Sequence, residues 1–272
     1  MPANGPPVIT LLSDYGYADE FVGVCHGVIA RICPHARVID IAHGLPRHGV
    51  LEAAVRLRNA LRFMPVGVHV AVVDPEVGAE RRAVALGVGD GRILVGPDNG
   101  ILSPAASDCG GVELAVDIAR SRYRLEPVSA TFHGRDLFAP VAAHLAAGAE
   151  LAEAGDPLDV HELVALELPS ATVGAEEVVA HALLIDRFGN VTLDVSHDEL
   201  AGSGLRMGRP IVVQAGERTQ PAHFARTFAD VQAGELLVYE DASRSLAVAV
   251  NRGSAASELG LTAGATLRLR PG

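Results

Sequence analysis

The run VVDPEVGAERR, residues 72–82, places a carboxylate, a Pro-Gly loop and two adjacent arginines within nine residues. Asp74 and Arg81 can meet across such a loop, as a working ion pair or as a simple loop closure. In TFHGRD, His133 precedes a glycine and an apolar stretch with helical spacing. Backbone N–H groups are free at a helix start, so an imidazole there sits where anions bind. Of 11 histidines, His133 is the one flanked by Gly134, Arg135 and Asp136. Asp14 ends a short apolar run, in SDYG, with Asp19 close behind. A carboxylate accepts two hydroxyls at once, so Asp14 suits the diol of a sugar or, more plainly, a turn. In GPDNG, Asn99 is a polar contact at a helix start or one more turn residue. In IDRFGN, Phe188 can stack on a nucleobase, Asn190 can read its edge and Asp186 can hold an amine. A polar turn between strands is the alternative reading there.

No metal set accompanies these groups. His43 and His48 lie five apart with Asp40 near, but neither HExxH nor facial-triad spacing occurs. Cys25, Cys33 and Cys109 show no CxxC pattern and read as buried thiols in a reducing cytoplasm. All 22 basic residues are arginine. Without lysine, Schiff-base chemistry and a P-loop are excluded. The net charge of −11, with no basic stripe, argues against nucleic-acid binding. No apolar run reaches the ~18 residues that span a membrane, and residues 1–7 lack the features of a signal peptide. The expectation is a cytoplasmic protein with no metal or cofactor, acting on a small molecule rather than on nucleic acid or membrane.

The elements that must position these groups are legible in outline. Apolar runs at residues 8–12, 37–41 and 68–73 read as strands. Helical spacing at 21–33, ending before Pro34, and at 51–64 fills the gaps between them. This β-α-β-α-β alternation argues for an α/β sheet. Asp14 and Asp74 then stand at strand ends, where ligands of such sheets bind. Residues 82–88 and 92–95 read as a hairpin around Gly89-Asp90-Gly91, and 136–147 as a helix. Residues 148–175 lack periodicity and read as a connection. From residue 176 the short β-prone runs 178–185, 211–214, 236–239, 246–250 and 266–269 suggest a barrel or sandwich.

Taken in order, LLSDYGYADEFVGVCHGVI, VIDIAH, VVDPEVGAERR, VGPDNGILSP, TFHGRDLFAPVAAHLA and LLIDRFGNVTLDV resemble the S-adenosyl-L-methionine hydroxide adenosyltransferase family, which is related to the bacterial fluorinase and chlorinase. TFADVQAGELLVYEDASRSLAVAVNRGSAA is a weaker match. The resemblance implies an α/β N-terminal domain with a central mixed sheet, residues 1–168, and a smaller C-terminal all-β barrel, residues 176–272. It implies a homotrimer with active sites at subunit interfaces. The implied reaction is hydrolysis of S-adenosyl-L-methionine to adenosine and L-methionine, by water or hydroxide attack at ribose C5′, without a cofactor. Asp74, Arg81 and His133 would form a triad in which Arg81 stabilises developing hydroxide. His133 is the expected proton acceptor and Asp74 the alternative one. Asp14 would hold the ribose hydroxyls, with Asn99 also in the substrate site. Asp19 and Asp186 would lie near methionine, and Phe188 and Asn190 against adenine. Ser243 is the candidate for the methionine carboxylate, together with Arg244. Two other functions compete: a halide-dependent 5′-halo-5′-deoxyadenosine synthase and a non-catalytic S-adenosyl-L-methionine or adenosine binding module. The intact triad and the short turn at residues 64–67 speak against the halide.

Overall fold

Short aliphatic runs become the buried strands of the first half of the chain. In the computed structural model, which describes residues 5–272, β1 (Val8–Ser13), β2 (Arg37–Ala42) and β3 (Val68–Val72) alternate with α1 (Phe21–Ile32) and α2 (Val50–Leu61). The three strands are parallel, with β1 in the middle. β4 (Ala83–Val88) and β5 (Ile93–Pro97) form the expected antiparallel hairpin, and β5 continues the sheet parallel to β3. β6 (Val112–Asp117) and β7 (Asp156–Leu158) add antiparallel edges, giving the order β2-β1-β3-β5-β4-β6-β7. The sheet is therefore mixed, as the family resemblance implied. β7 lies inside residues 148–175, which the sequence reads as a connection; three residues are too few to show a period.

Strand residues point alternately to the two faces. Leu11 packs with α1 and with α4 (Ala139–Ala146), whereas Leu12 packs with α2 and with α3 (Ser103–Asp108). The helix expected over 136–147 begins as a π-helical turn, Gly134–Phe138, before α4 takes over. Such wide turns recur at functional sites.

The chain divides at Glu167, and the unit from Leu168 to Gly272 is all-β apart from short helical turns. Its strands are β8 (Thr172–Val173), β9 (Val178–Ile185), β10 (Val191–Ser196), β11 (Pro210–Ala215), β12 (Arg218–Phe224), β13 (Leu236–Glu240), β14 (Ser245–Val250) and β15 (Thr266–Pro271). They run β10-β14-β13-β12-β11-β15-β9-β8, and β9 also pairs with β10. That last pairing closes a barrel, with β8 outside the ring. Its interior is aliphatic, including Val178, Ala180, Leu193, Val213, Val248 and Leu267. No helix among the described residues is long and apolar enough to cross a membrane.

Candidate active site

Asp74 stands two residues past the end of β3, at the carboxyl edge of the parallel strands. The loop after it turns back on Gly78. There φ is +83°, and a Cβ would come within 2.6 Å of the Ala130 carbonyl oxygen, so only glycine fits. This return delivers Arg81 to Asp74. Arg81 Nε donates to both carboxylate oxygens, at 3.0 Å (Oδ1) and 2.9 Å (Oδ2), and Nη2 donates to Oδ2. The two side chains are only 5% and 6% exposed, so their charges are compensated by each other rather than by water.

The other face of the guanidinium meets the His133 motif. Arg81 Nη2 lies 3.0 Å from His133 Nδ1, and the guanidinium carbon lies 5.4 Å from the Phe138 ring centroid. Arginine offers only N–H groups, so Nδ1 must accept and the ring hydrogen resides on Nε2. Burial, and then the Arg81 charge, lower the His133 pKa below its ordinary value.

Gly134 after the histidine also has a physical reason. A Cβ there would lie 2.2 Å from the Tyr15 hydroxyl oxygen. Tyr15 follows Asp14, and its ring packs against Phe21 and Phe132. Burial pushes the Tyr15 hydroxyl far above its ordinary range, so it stays neutral. The Asp14 turn and the His133 motif, distant in sequence, thus touch through Tyr15.

The remaining predicted residues divide between the two units. Asp14 Oδ2 accepts from the His48 N–H at 3.2 Å, and Asp19 is exposed in the bend before α1. Asn99 donates its amide N–H to the Val73 carbonyl at 2.9 Å, while its oxygen accepts from the Ile101 N–H at 3.2 Å. It therefore braces the strand end that carries Asp74. In the barrel unit, Asp186 Oδ1 accepts from the N–H groups of Phe188 and Asn190, and Oδ2 accepts from the Asn190 side chain at 2.8 Å. Phe188 is 61% exposed, with the Arg187 guanidinium 4.6 Å from its ring centroid. Ser243 donates its N–H to Asp241, and the next residue, Arg244, holds φ at +62°.

Sequence reasoning weighed His43 and Asp40 only as metal ligands. The structure instead bonds Ser13 to His43, His43 to Asp40, and Asp40 to His26. Burial would raise the Asp40 pKa, but hydrogen bonds from His43 and His26 hold it below the ordinary carboxylate value. Among the described residues, no group of three or more His, Cys, Asp and Glu side chains could hold a metal ion.

This geometry has a family. The models of the SAM hydroxide adenosyltransferase N-terminal and C-terminal domains match residues 9–155 and 180–268. The chain belongs to the SAM hydroxide adenosyltransferase family. It is 48% identical to the (R)-S-adenosyl-L-methionine hydrolase of Salinispora tropica, covering 98% of each chain. To a fluorinase of Actinoplanes sp. it is 30% identical, again covering 98% of each. The crystal structure of an uncharacterized conserved protein from Thermotoga maritima superposes with a TM-score of 0.89 at 35% identity, covering 96% of this chain and 99% of that one.

Proposed function

We propose that this protein hydrolyses S-adenosyl-L-methionine to adenosine and L-methionine, by attack of water at ribose C5′. The observation that carries the reading is the Arg81 bridge, which binds Asp74 on one side and His133 Nδ1 on the other. The similarity to a named hydrolase over the whole chain supports it.

The sulfonium makes methionine a good neutral leaving group, so the nucleophile sets the barrier. Preforming hydroxide from water of pKa about 15.7 at pH 7 costs about 12 kcal/mol, at about 1.36 kcal/mol per unit. Cationic and N–H donors beside the oxygen, with an acceptor for its proton, remove much of that cost during attack. Arg81 and the His133 Nε2–H are the donors. The tautomer set by Arg81 shifts the acceptor role from His133 to Asp74, whose Oδ1 accepts from Arg81 Nε and has room for a second hydrogen. The water oxygen bonds to C5′ as the C5′–S bond breaks, its electron pair returns to sulfur, and the proton passes to Asp74 and then to solvent. No cofactor is needed for this balance.

Asp14 holds the ribose diol, with Asn99 steadying the substrate site. Asp19 and Asp186 serve methionine, Phe188 and Asn190 adenine, and Ser243 the carboxylate. Residues 1–168 and 176–272 serve as the catalytic and adenine-contacting domains of a cytoplasmic homotrimer with active sites at subunit interfaces. Light scattering on the purified protein tests that assembly.

The deciding experiment is incubation with S-adenosyl-L-methionine in ¹⁸O water. Label in the adenosine 5′-oxygen is expected. A 5′-halo product formed only with added halide sinks the hydrolase in favour of the synthase. Tight binding without product leaves a binding module.

A further inference from the structure

Ser13, the residue before Asp14, belongs to a hydrogen-bonded set that the proposed reaction does not use. Its hydroxyl lies 2.6 Å from His43 Nδ1, and His43 Nε2 lies 3.0 Å from Asp40 Oδ1. The same carboxylate oxygen lies 2.8 Å from His26 Nε2. An ionised carboxylate only accepts, so His43 carries its hydrogen on Nε2 and Nδ1 accepts from the Ser13 hydroxyl. Ser13 Oγ in turn accepts from the Tyr15 N–H at 3.3 Å. The composition is that of an acyl-transfer triad. Yet Ser13 is 3% exposed and His43 2%, which leaves an acyl donor no approach to the hydroxyl.

A register shift builds the set. Leu11 pairs with Asp40 across β1 and β2, whereas Leu12 pairs with Ala42, so Ile41 is an extra residue in β2. Past this bulge Ser13 meets His43. The main chain of the same segment then takes hold of the far side of Asp14. The Gly16 N–H donates to the His43 carbonyl at 2.7 Å, and the His48 N–H donates to Asp14 Oδ2 at 3.2 Å. Residues 13, 14 and 16 are thus all bonded to the stretch from His43 to His48.

We propose that His43 is a positioning residue for Asp14, locking the turn from Ser13 to Gly16 so that the carboxylate meets the substrate in one fixed geometry. This rests on the reading of Asp14 as the ribose ligand. Such a lock acts on ground state and transition state alike, so its loss raises KM and spares kcat.

His43→Phe keeps a ring and removes both nitrogens. It is expected to raise KM for S-adenosyl-L-methionine about tenfold, with kcat within about twofold. His43→Asn, whose amide oxygen can accept from Ser13, restores KM to within about threefold of the starting value. Ser13→Ala, a smaller change for folding to absorb, raises KM about threefold. Added to Asp14→Ala, His43→Phe raises KM no further, because both act through one carboxylate. An unchanged KM in both His43→Phe and Ser13→Ala overturns the proposal. So does a KM effect that adds in full to that of Asp14→Ala, or a loss confined to kcat. Calorimetry with adenosine separates the two layers. If the unmodified protein does not bind it, the ribose reading falls and the proposal with it. If the unmodified protein and His43→Phe bind it equally, only the positioning role falls.

Discussion

In the barrel unit, the Asp186 carboxylate bonds to residues two and four positions on, Phe188 and Asn190. In the α/β unit, Asp74 bonds to Arg81 seven positions on, and Arg81 to His133 at a separation of 52 residues. The first arrangement is a turn that a short peptide can make for itself. The second exists only when β3, the loop on Gly78 and the π-helical turn are all in place. The residues assigned to bond-breaking therefore depend on the integrity of a whole unit, while Asp186 and Asn190, the barrel residues assigned to recognition, are prepared by their own neighbours. The Asp186 turn needs little beyond a barrel to display it.

Substitutions can break this contrast. Asp74→Asn removes the proposed acceptor while keeping its shape, and kcat is expected to fall about a thousandfold in steady-state assays. A fall below tenfold moves the acceptor elsewhere. Arg81→Ala leaves Asp74 buried and unpaired, so chemical denaturation should reveal a loss of about 3–5 kcal/mol besides lost activity. Phe188→Ala touches only the local turn. It should raise KM about tenfold through lost base stacking, with kcat and melting temperature nearly unchanged. Gly134→Ala forces a Cβ against Tyr15, and about 1–3 kcal/mol of stability should be lost, visible as a lower melting temperature. The smallest effect is in pH. Protonated His133 would present a hydrogen to Arg81 and break their contact, so kcat/KM falls as pH drops through the His133 pKa of the free protein. Since burial and Arg81 lower that pKa below the ordinary 6.5, the midpoint of the acid limb should lie below 6.5. A midpoint above it means that the imidazole is not held as described.

Much of the fold was legible because burial writes itself into runs. β1, β2 and β3 stand out as aliphatic segments, and α1 as a helical period stopped by Pro34. β10 went unassigned although Val191, Leu193 and Val195 face the core with Thr192 and Asp194 between them, an alternation that is itself a strand signal. β12 reads as polar and carries Pro221 in its middle, which argues against a strand until its partners are known. α3 is too short to show a period. The Asp74–Arg81 pair was readable since both residues lie on one loop. The role of Gly134 and the Ser13–His43–Asp40 set were not, because a ring stacked from elsewhere and a one-residue bulge create them.

The closing of the barrel has a further consequence of parity. Around any closed ring of strands, the antiparallel neighbours must be even in number, or the directions conflict on returning to the start. β9, β10, β14, β13, β12, β11 and β15 make an odd ring. At least one parallel pair is thus obligatory, and it falls between β12 and β13. Residues 225–235 must therefore carry the chain from one rim to the other, a span that no hairpin can replace. Shortening that connection to a tight turn would reverse β13 and leave the ring with no consistent set of directions.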